Sequence, residues 1–195
     1  DPEHDTYIRT ARYGDRFFID LTNARWEVIE ISKDGWSLCE GTPPVKFLRS
    51  SGAQPLPLPD PTGTFDSLKD VFKLKNDDDY ILLAAWMVYV LAGSGPYPIL
   101  AIEGTAGSSK STLSRHLRML LDPRRPALQS SPNKIDDLYV SANNTHLIAI
   151  DNLSSINQKT SDIFCGIATG TGTSKRELYT DSDEVYFELC KPILF

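Results

Sequence analysis

The sequence predicts an α/β fold, a parallel sheet flanked by helices, with a small N-terminal β module. Three observations carry this. Positions 1–50 hold short aromatic and β-branched runs broken by turn residues. A segment dense in proline follows, and from Pro98 apolar strands alternate with helical periodicity. The chain therefore divides into a β-rich module over 1–50, a linker over 51–63 and an α/β unit over 64–195. The last splits into a helical lead-in over 64–96 and a core over 97–195.

In the module, Phe17 to Leu21, Trp26 to Ile31, Trp36 to Cys39 and Val45 to Leu48 are the strand candidates. TNAR, SKDG and EGTPP lie between them, and Asp34-Gly35 is the clearest hairpin signal. The prolines of 51–63 can continue neither a sheet nor a helix, so an extended linker is expected. Asn76 can cap a helix whose first turn is Asp77-Asp78-Asp79, acids suited to the positive end of a helix dipole. That helix runs to Gly93 and is apolar on every face, which predicts burial on all sides. Ile99 to Ile102 is a short strand. Leu113, Leu117 and Leu120/Leu121 recur at helical spacing until Asp122-Pro123. A weak strand is expected at Ala127 to Gln129, helices at Ile135 to Ala142 and Ser161 to Thr169, and a buried strand at Leu147 to Ile150. Arg176 to Leu189 reads as a hairpin turning at Thr180 to Asp183, and Pro192 to Phe195 as a further strand.

Charge limits the partners. With 20 Lys+Arg against 26 Asp+Glu the net charge is -6, so coating duplex DNA by bulk electrostatics is excluded, and any nucleic-acid contact must be local or shared among subunits. Three widely spaced cysteines without a CxxC pair argue against a disulfide framework or zinc site and for a reducing cytoplasm. The longest apolar run, Tyr80 to Ala92, falls short of the ~20 residues a membrane span needs. A soluble protein is expected, with no membrane partner.

The most informative segment follows the first core strand. Gly104-Thr105-Ala106-Gly107-Ser108-Ser109-Lys110-Ser111-Thr112 joins an apolar strand to a helix. Small residues let successive backbone N–H groups turn around a phosphate, and the helix N-terminus adds partial positive charge. Lys110 can reach the β- and γ-phosphates of ATP, and the Ser111 hydroxyl can ligate Mg²⁺. In the GxxxxGK[ST] pattern a glycine stands where this chain has Ser109, a departure that matters if the backbone there needs a positive φ. Leu147 to Ile150 followed by Asp151 is the matching metal-holding strand, with Asp151 at its tip. The next residue, Asn152, stands where many such ATPases have an acid. An amide can hold a water but cannot take its proton, which predicts slow basal hydrolysis.

The order of phosphate loop, hhhhDN strand, A168-TGTGTSKRELYT-D181 and C190-KPIL-F195 resembles superfamily III helicases. The nearest likeness is to the primase-helicase-type ATPases of phages, plasmids and integrated elements. That resemblance implies an AAA+-like P-loop NTPase core over about 64–195. It also implies a hexameric ring that uses ATP and Mg²⁺, and a hairpin projecting into the ring's channel to touch single-stranded DNA. Carried over, Lys175 and Arg176 are the hairpin cations facing the nucleic acid, and Tyr179 adds a stacking face; ordinary surface charge on an exposed hairpin is the alternative. The resemblance also puts the γ-phosphate sensor, a last strand and helix and an arginine finger beyond Phe195, so the chain reads as part of a longer protein.

Arg115, His116 and Arg118 read as a solvated helix face, with a subunit contact as the alternative. Arg124-Arg125 reads as surface charge, with a contact to nucleotide or a neighbouring subunit as the alternative, and His4 and His146 have no partners at metal-ligand spacing. The expected function is an ATP-hydrolysing motor, a DNA helicase or translocase in replication of a mobile element. A nucleotide-gated switch with little turnover is the alternative, and a P-loop kinase a more distant one.

Overall fold

Leu147-Ile148-Ala149-Ile150 has no polar position, so as a strand it must be covered on both faces. The computed structural model describes residues 5–105, 107–131, 135–153, 155–170, 173–176, 184–187 and 189–195, and it shows that double cover. The elements run β1 (Thr6–Tyr7), β2 (Thr10–Tyr13), β3 (Arg16–Asp20), β4 (Val28–Ser32), β5 (Gly35–Leu38) and β6 (Lys46–Phe47), then α1 (Ser67–Val71), α2 (Asp77–Ala92) and α3 (Lys110–Leu121). They continue with β7 (Gln129–Ser130), α4 (Ile135–Asn143), β8 (Ile148–Asp151), α5 (Gln158–Thr169), β9 (Thr173–Arg176), β10 (Glu184–Phe187) and β11 (Ile193–Leu194).

In the core, β8 lies between β7 and β11, both parallel to it. Residues 99–102 extend along the outer side of β11. Leu100 N–H donates to Ile193 O (2.9 Å), Phe195 N–H to Leu100 O (3.0 Å) and Ile102 N–H to Phe195 O (2.7 Å). The spatial order is thus 99–102, β11, β8, β7, with the last element in sequence inserted next to the first. Period-two alternation sends Leu147, Ala149 and Leu194 to the face covered by α2 and α3, where Leu83, Trp86, Leu117 and Leu121 pack. Ile148, Ile150 and Ile193 face α4 and α5 with Leu138, Phe164 and Ile167.

Helix ends follow local chemistry. Asn76 Oδ1 accepts from Asp79 N–H (2.8 Å) at the start of α2, and Gly93 closes it at φ 70°. Asn157 caps α5 in the same way through Thr160 N–H (2.9 Å). The expected all-round burial of α2 is corrected. Leu83, Trp86, Met87 and Val90 are buried at helical spacing, whereas Ile81 and Leu82 are 61% and 70% exposed. The packed face satisfies α3 and the sheet, and no described layer covers the other.

The module is an antiparallel meander in the order β2-β3-β4-β5, with β1 and β6 paired beside it. Trp26 does not join a strand as expected. The Asn23 side chain bonds Glu27 on both its N–H (3.1 Å) and its carboxylate (2.6 Å), closing a loop that holds Trp26 at φ 59° under the Arg49 guanidinium. Residues 51–63 contain neither helix nor strand, but their first half is bonded on two sides. Gln54 N–H donates to Pro123 O (2.8 Å) and Leu56 N–H to Leu21 O (2.9 Å).

A buried ion pair ties the module to the core. Arg9, at φ 65°, donates to Asp122 Oδ1 (3.0 Å), Asp20 O (2.9 Å), Thr22 Oγ1 (2.9 Å) and Gln54 O (2.9 Å). The other oxygen of Asp122 accepts from Thr145 Oγ1 (3.0 Å) and from the N–H groups of His146 and Leu147 (3.1 Å each), with Arg118 alongside at 3.2 Å. Burial penalises the Asp122 charge, yet Arg118, His146, Arg9 and the Leu147 N–H hold its carboxyl well below the usual carboxylate range. His146 donates from Nε2 to Val90 O (2.9 Å), so its Nδ1 accepts from Thr10 Oγ1 (3.3 Å), and burial pulls its pKa down to about 4 against the opposing pull of Asp122.

Candidate functional site

In the strand-to-helix turn that leads into α3, Ser108 lies close over Gly104. A Cβ on Gly104 would meet Ser108 Oγ at 2.6 Å. Gly107 sits at φ 79° and Ser109 at φ 64°, so the position where the pattern has glycine does need a left-handed backbone, and serine adopts it here. Ser109 forms no side-chain cap at the head of α3, which leaves the first amides of the helix unshared with a capping side chain. Lys110 Nζ donates to Gly104 O (2.7 Å) and Thr105 O (2.9 Å), folding back over its own loop.

Asp151 ends β8 and stands beside the first turn of α3. Ser111 Oγ donates to Asp151 Oδ1 at 2.7 Å across a sequence separation of 40 residues. A hydroxyl that gives its proton to a carboxylate keeps its lone pairs for a cation. The pair offers two hard oxygens of the kind Mg²⁺ prefers, so Ser111 and Asp151 are the residues that could hold that ion. Asn152 follows at φ 56°, a conformation asparagine tolerates, and lines the same cleft. This cleft of about 460 Å³ is bounded by Glu103, Lys110, Ser111, Asp151, Asn152 and Phe195, at the C-terminal ends of the parallel strands.

Lys110, Ser111, Asp151 and Asn152 are therefore brought together, with Gly104, Thr105, Gly107, Ser108, Ser109 and Thr112 forming the turn and helix start around them. Ala106 lies outside the described residues. Lys175 and Arg176 lie on β9, paired antiparallel with Val185 and Glu184 of β10; this first arm, Thr173–Arg176, lies earlier in the chain than the expected hairpin, which began at Arg176. Tyr179 and the hairpin turn fall outside the described residues.

Residues 65–195 match the family model described as Actinomycete integrative conjugative element replication protein. The chain belongs to that family. It is a mobile-element replication protein, and the match takes in the turn, α3, β8 and β11, whose residues line the cleft, as well as the β9–β10 pair. No curated protein and no solved structure matches it.

In this replication protein two assignments from sequence are corrected. Arg118 is not on a solvated face; it is 3% exposed and donates to Leu147 O, at the foot of β8, and to Thr145 Oγ1 (2.8 Å). Burial lowers its pKa to about 10 despite Asp122. Arg124 is half-buried and donates to Ser50 Oγ (2.9 Å) and Asn144 O, so it is a structural tie and not free surface charge. Arg115 is exposed, as the solvated helix face requires, and its Nη2 stands 3.9 Å from Asp151 Oδ2.

Glu103 borders the cleft without belonging to any motif in the sequence, and Arg115 stands beside Asp151 at its edge. The four-residue spacing from Ser111 puts Arg115 on the same helix face, a signal that was there to use. Glu103 directly precedes the turn. Among the described residues no group of three or more His, Cys, Asp or Glu could hold a metal, and no helix is long and apolar enough to cross a membrane.

Proposed function

We propose that this replication protein is a P-loop ATPase, the motor domain of a ring that moves on single-stranded DNA. The observation that carries the reading is the Ser111–Asp151 hydrogen bond in the cleft that also holds Lys110 at the head of α3. The order 99–102, β11, β8, β7 supports it, because the cleft opens where the last strand is inserted beside the first, a place where open α/β sheets bind ligands.

On this reading the turn amides and the N-terminus of α3 hold the phosphates. Lys110 exchanges the carbonyls of Gly104 and Thr105 for β- and γ-phosphate oxygens, so its ammonium is available where charge develops. Ser111 and Asp151 would hold Mg²⁺, which neutralises charge on the transferred phosphoryl oxygens when bound. Asn152 orients the attacking water and accepts no proton, so turnover is slow without help from a further group. Lys175 and Arg176 supply the contact with single-stranded DNA, multiplied around the ring.

Asn152 also favours a second reading, a switch that binds nucleotide and changes shape with little turnover. ATPase assays with and without single-stranded DNA separate the two. A motor shows hydrolysis stimulated by the strand, and Lys175→Ala with Arg176→Ala removes the stimulation while nucleotide affinity stays within about twofold. Tight nucleotide binding without turnover under either condition favours the switch. Absence of nucleotide binding contradicts both.

A further inference from the structure

Asp151 has two oxygens, and Ser111 uses one of them. The other, Oδ2, faces Arg115 Nη2 at 3.9 Å, with Asp151 25% and Arg115 53% exposed. Glu103 and Lys110 border the same cleft and Arg115 stands at its edge beside Asp151, so among the described residues the charged groups there are two cations and two carboxylates. Such a set offers little net attraction to a bare divalent cation. A triphosphate brings its own negative charge and reverses that balance.

We propose that Arg115 is a positioning residue that reserves Asp151 for a metal arriving together with a polyphosphate. With no cation present, its guanidinium keeps the carboxylate turned toward Ser111 and partly neutralised. When metal and nucleotide enter together, the half-exposed arginine gives up Oδ2 at small cost, because a surface pair of this length is weak. The proposal rests on the phosphate-site reading above and adds a gate on its metal. Arg115 touches neither phosphate nor reacting water in this account; it acts through Asp151.

The test is manganese binding to the nucleotide-free chain, followed by electron paramagnetic resonance. Removing a unit charge roughly 6 Å from a divalent ion at a water-like dielectric changes its affinity by about tenfold. Arg115→Gln should therefore bind Mn²⁺ about tenfold more tightly than wild type, and Arg115→Lys should stay close to wild type. Adding Asp151→Asn to Arg115→Gln should abolish the gain. An Arg115→Gln affinity equal to wild type overturns the proposal, as does a gain that persists in the double variant. A parallel titration of wild type with ATP reports on the phosphate site by itself: no ATP binding sinks that reading, whereas ATP binding with unchanged Mn²⁺ affinity in Arg115→Gln sinks only the role given to Arg115.

Discussion

Replacing Arg9 with methionine removes a buried cation while nearly filling its volume, so the cost is electrostatic and not a cavity. The Arg9 side chain is 1% and that of Asp122 5% exposed, and the guanidinium serves Asp122, Thr22 and the carbonyls of Asp20 and Gln54. In Arg9→Met, Asp122 Oδ1 loses its arginine while Oδ2 keeps Thr145 and two backbone N–H groups. Breaking a buried pair from one side costs about 3–5 kcal/mol, and unpaired buried acceptors account for much of that. Against a typical total stability of about 5–15 kcal/mol this is a large fraction. With a urea slope of about 2 kcal/mol per M, the unfolding midpoint should fall by about 2 M. Tryptophan fluorescence reads it in both regions, since Trp26 and Trp36 lie in the module and Trp86 in α2. Arg12, exposed, with a hydrogen bond to Gly14 O at 3.2 Å and its guanidinium 5.5 Å from the Phe17 ring, is the control: Arg12→Met should change stability by less than about 1 kcal/mol. A loss below about 1 kcal/mol in Arg9→Met would refute the claim that this ion pair ties the module to the core.

Acid should weaken the fold before the carboxylates titrate. His146 is neutral in the fold, with its pKa held at about 4 against 6.5 for the free residue. The unfolded chain therefore takes up the proton first as pH falls. The contribution is complete above pH 7 and declines from pH 6.5 to about 4, at up to about 1.4 kcal/mol per pH unit. Protonation of Asp122, whose folded carboxyl lies below its ordinary value, adds a loss at still lower pH. Urea midpoints that do not change between pH 7 and 5 would contradict this. Ser109→Gly should relieve the left-handed strain at φ 64° and raise stability by about 0.5–1 kcal/mol, or roughly 1–4 °C in Tm; a lower Tm would show that the serine side chain matters more than the backbone.

What could be read from the sequence was local. The turn at 104–111 and the apolar run before Asp151 are contiguous patterns whose physics is complete within a dozen residues, and the cleft joins the residues they singled out. Parallel order followed from strands alternating with helices. The α2 surface was misread because an apolar sequence carries no mark of which face lacks a covering layer. Arg9 and Asp122 meet across 113 residues, and no spacing rule links a lone arginine in a β module to an aspartate that ends a helix. β2 was missed for a related reason: Thr10 and Ala11 are buried, but Arg12 and Tyr13 are exposed, so the run does not alternate. Ser109 shows the reverse case, a departure from a pattern whose backbone demand the fold nevertheless meets.

Equilibrium binding of a fluorescent ATP analogue with Mg²⁺, compared between wild type and Lys110→Ala, bears on the central claim most directly. Removing the ammonium from the turn should weaken binding by about a hundredfold, with circular dichroism and urea midpoint unchanged, because among the described residues the Lys110 ammonium bonds the carbonyls of its own loop. Saturable binding that survives intact in Lys110→Ala, or no binding by wild type at all, would mean that this cleft is not a phosphate site.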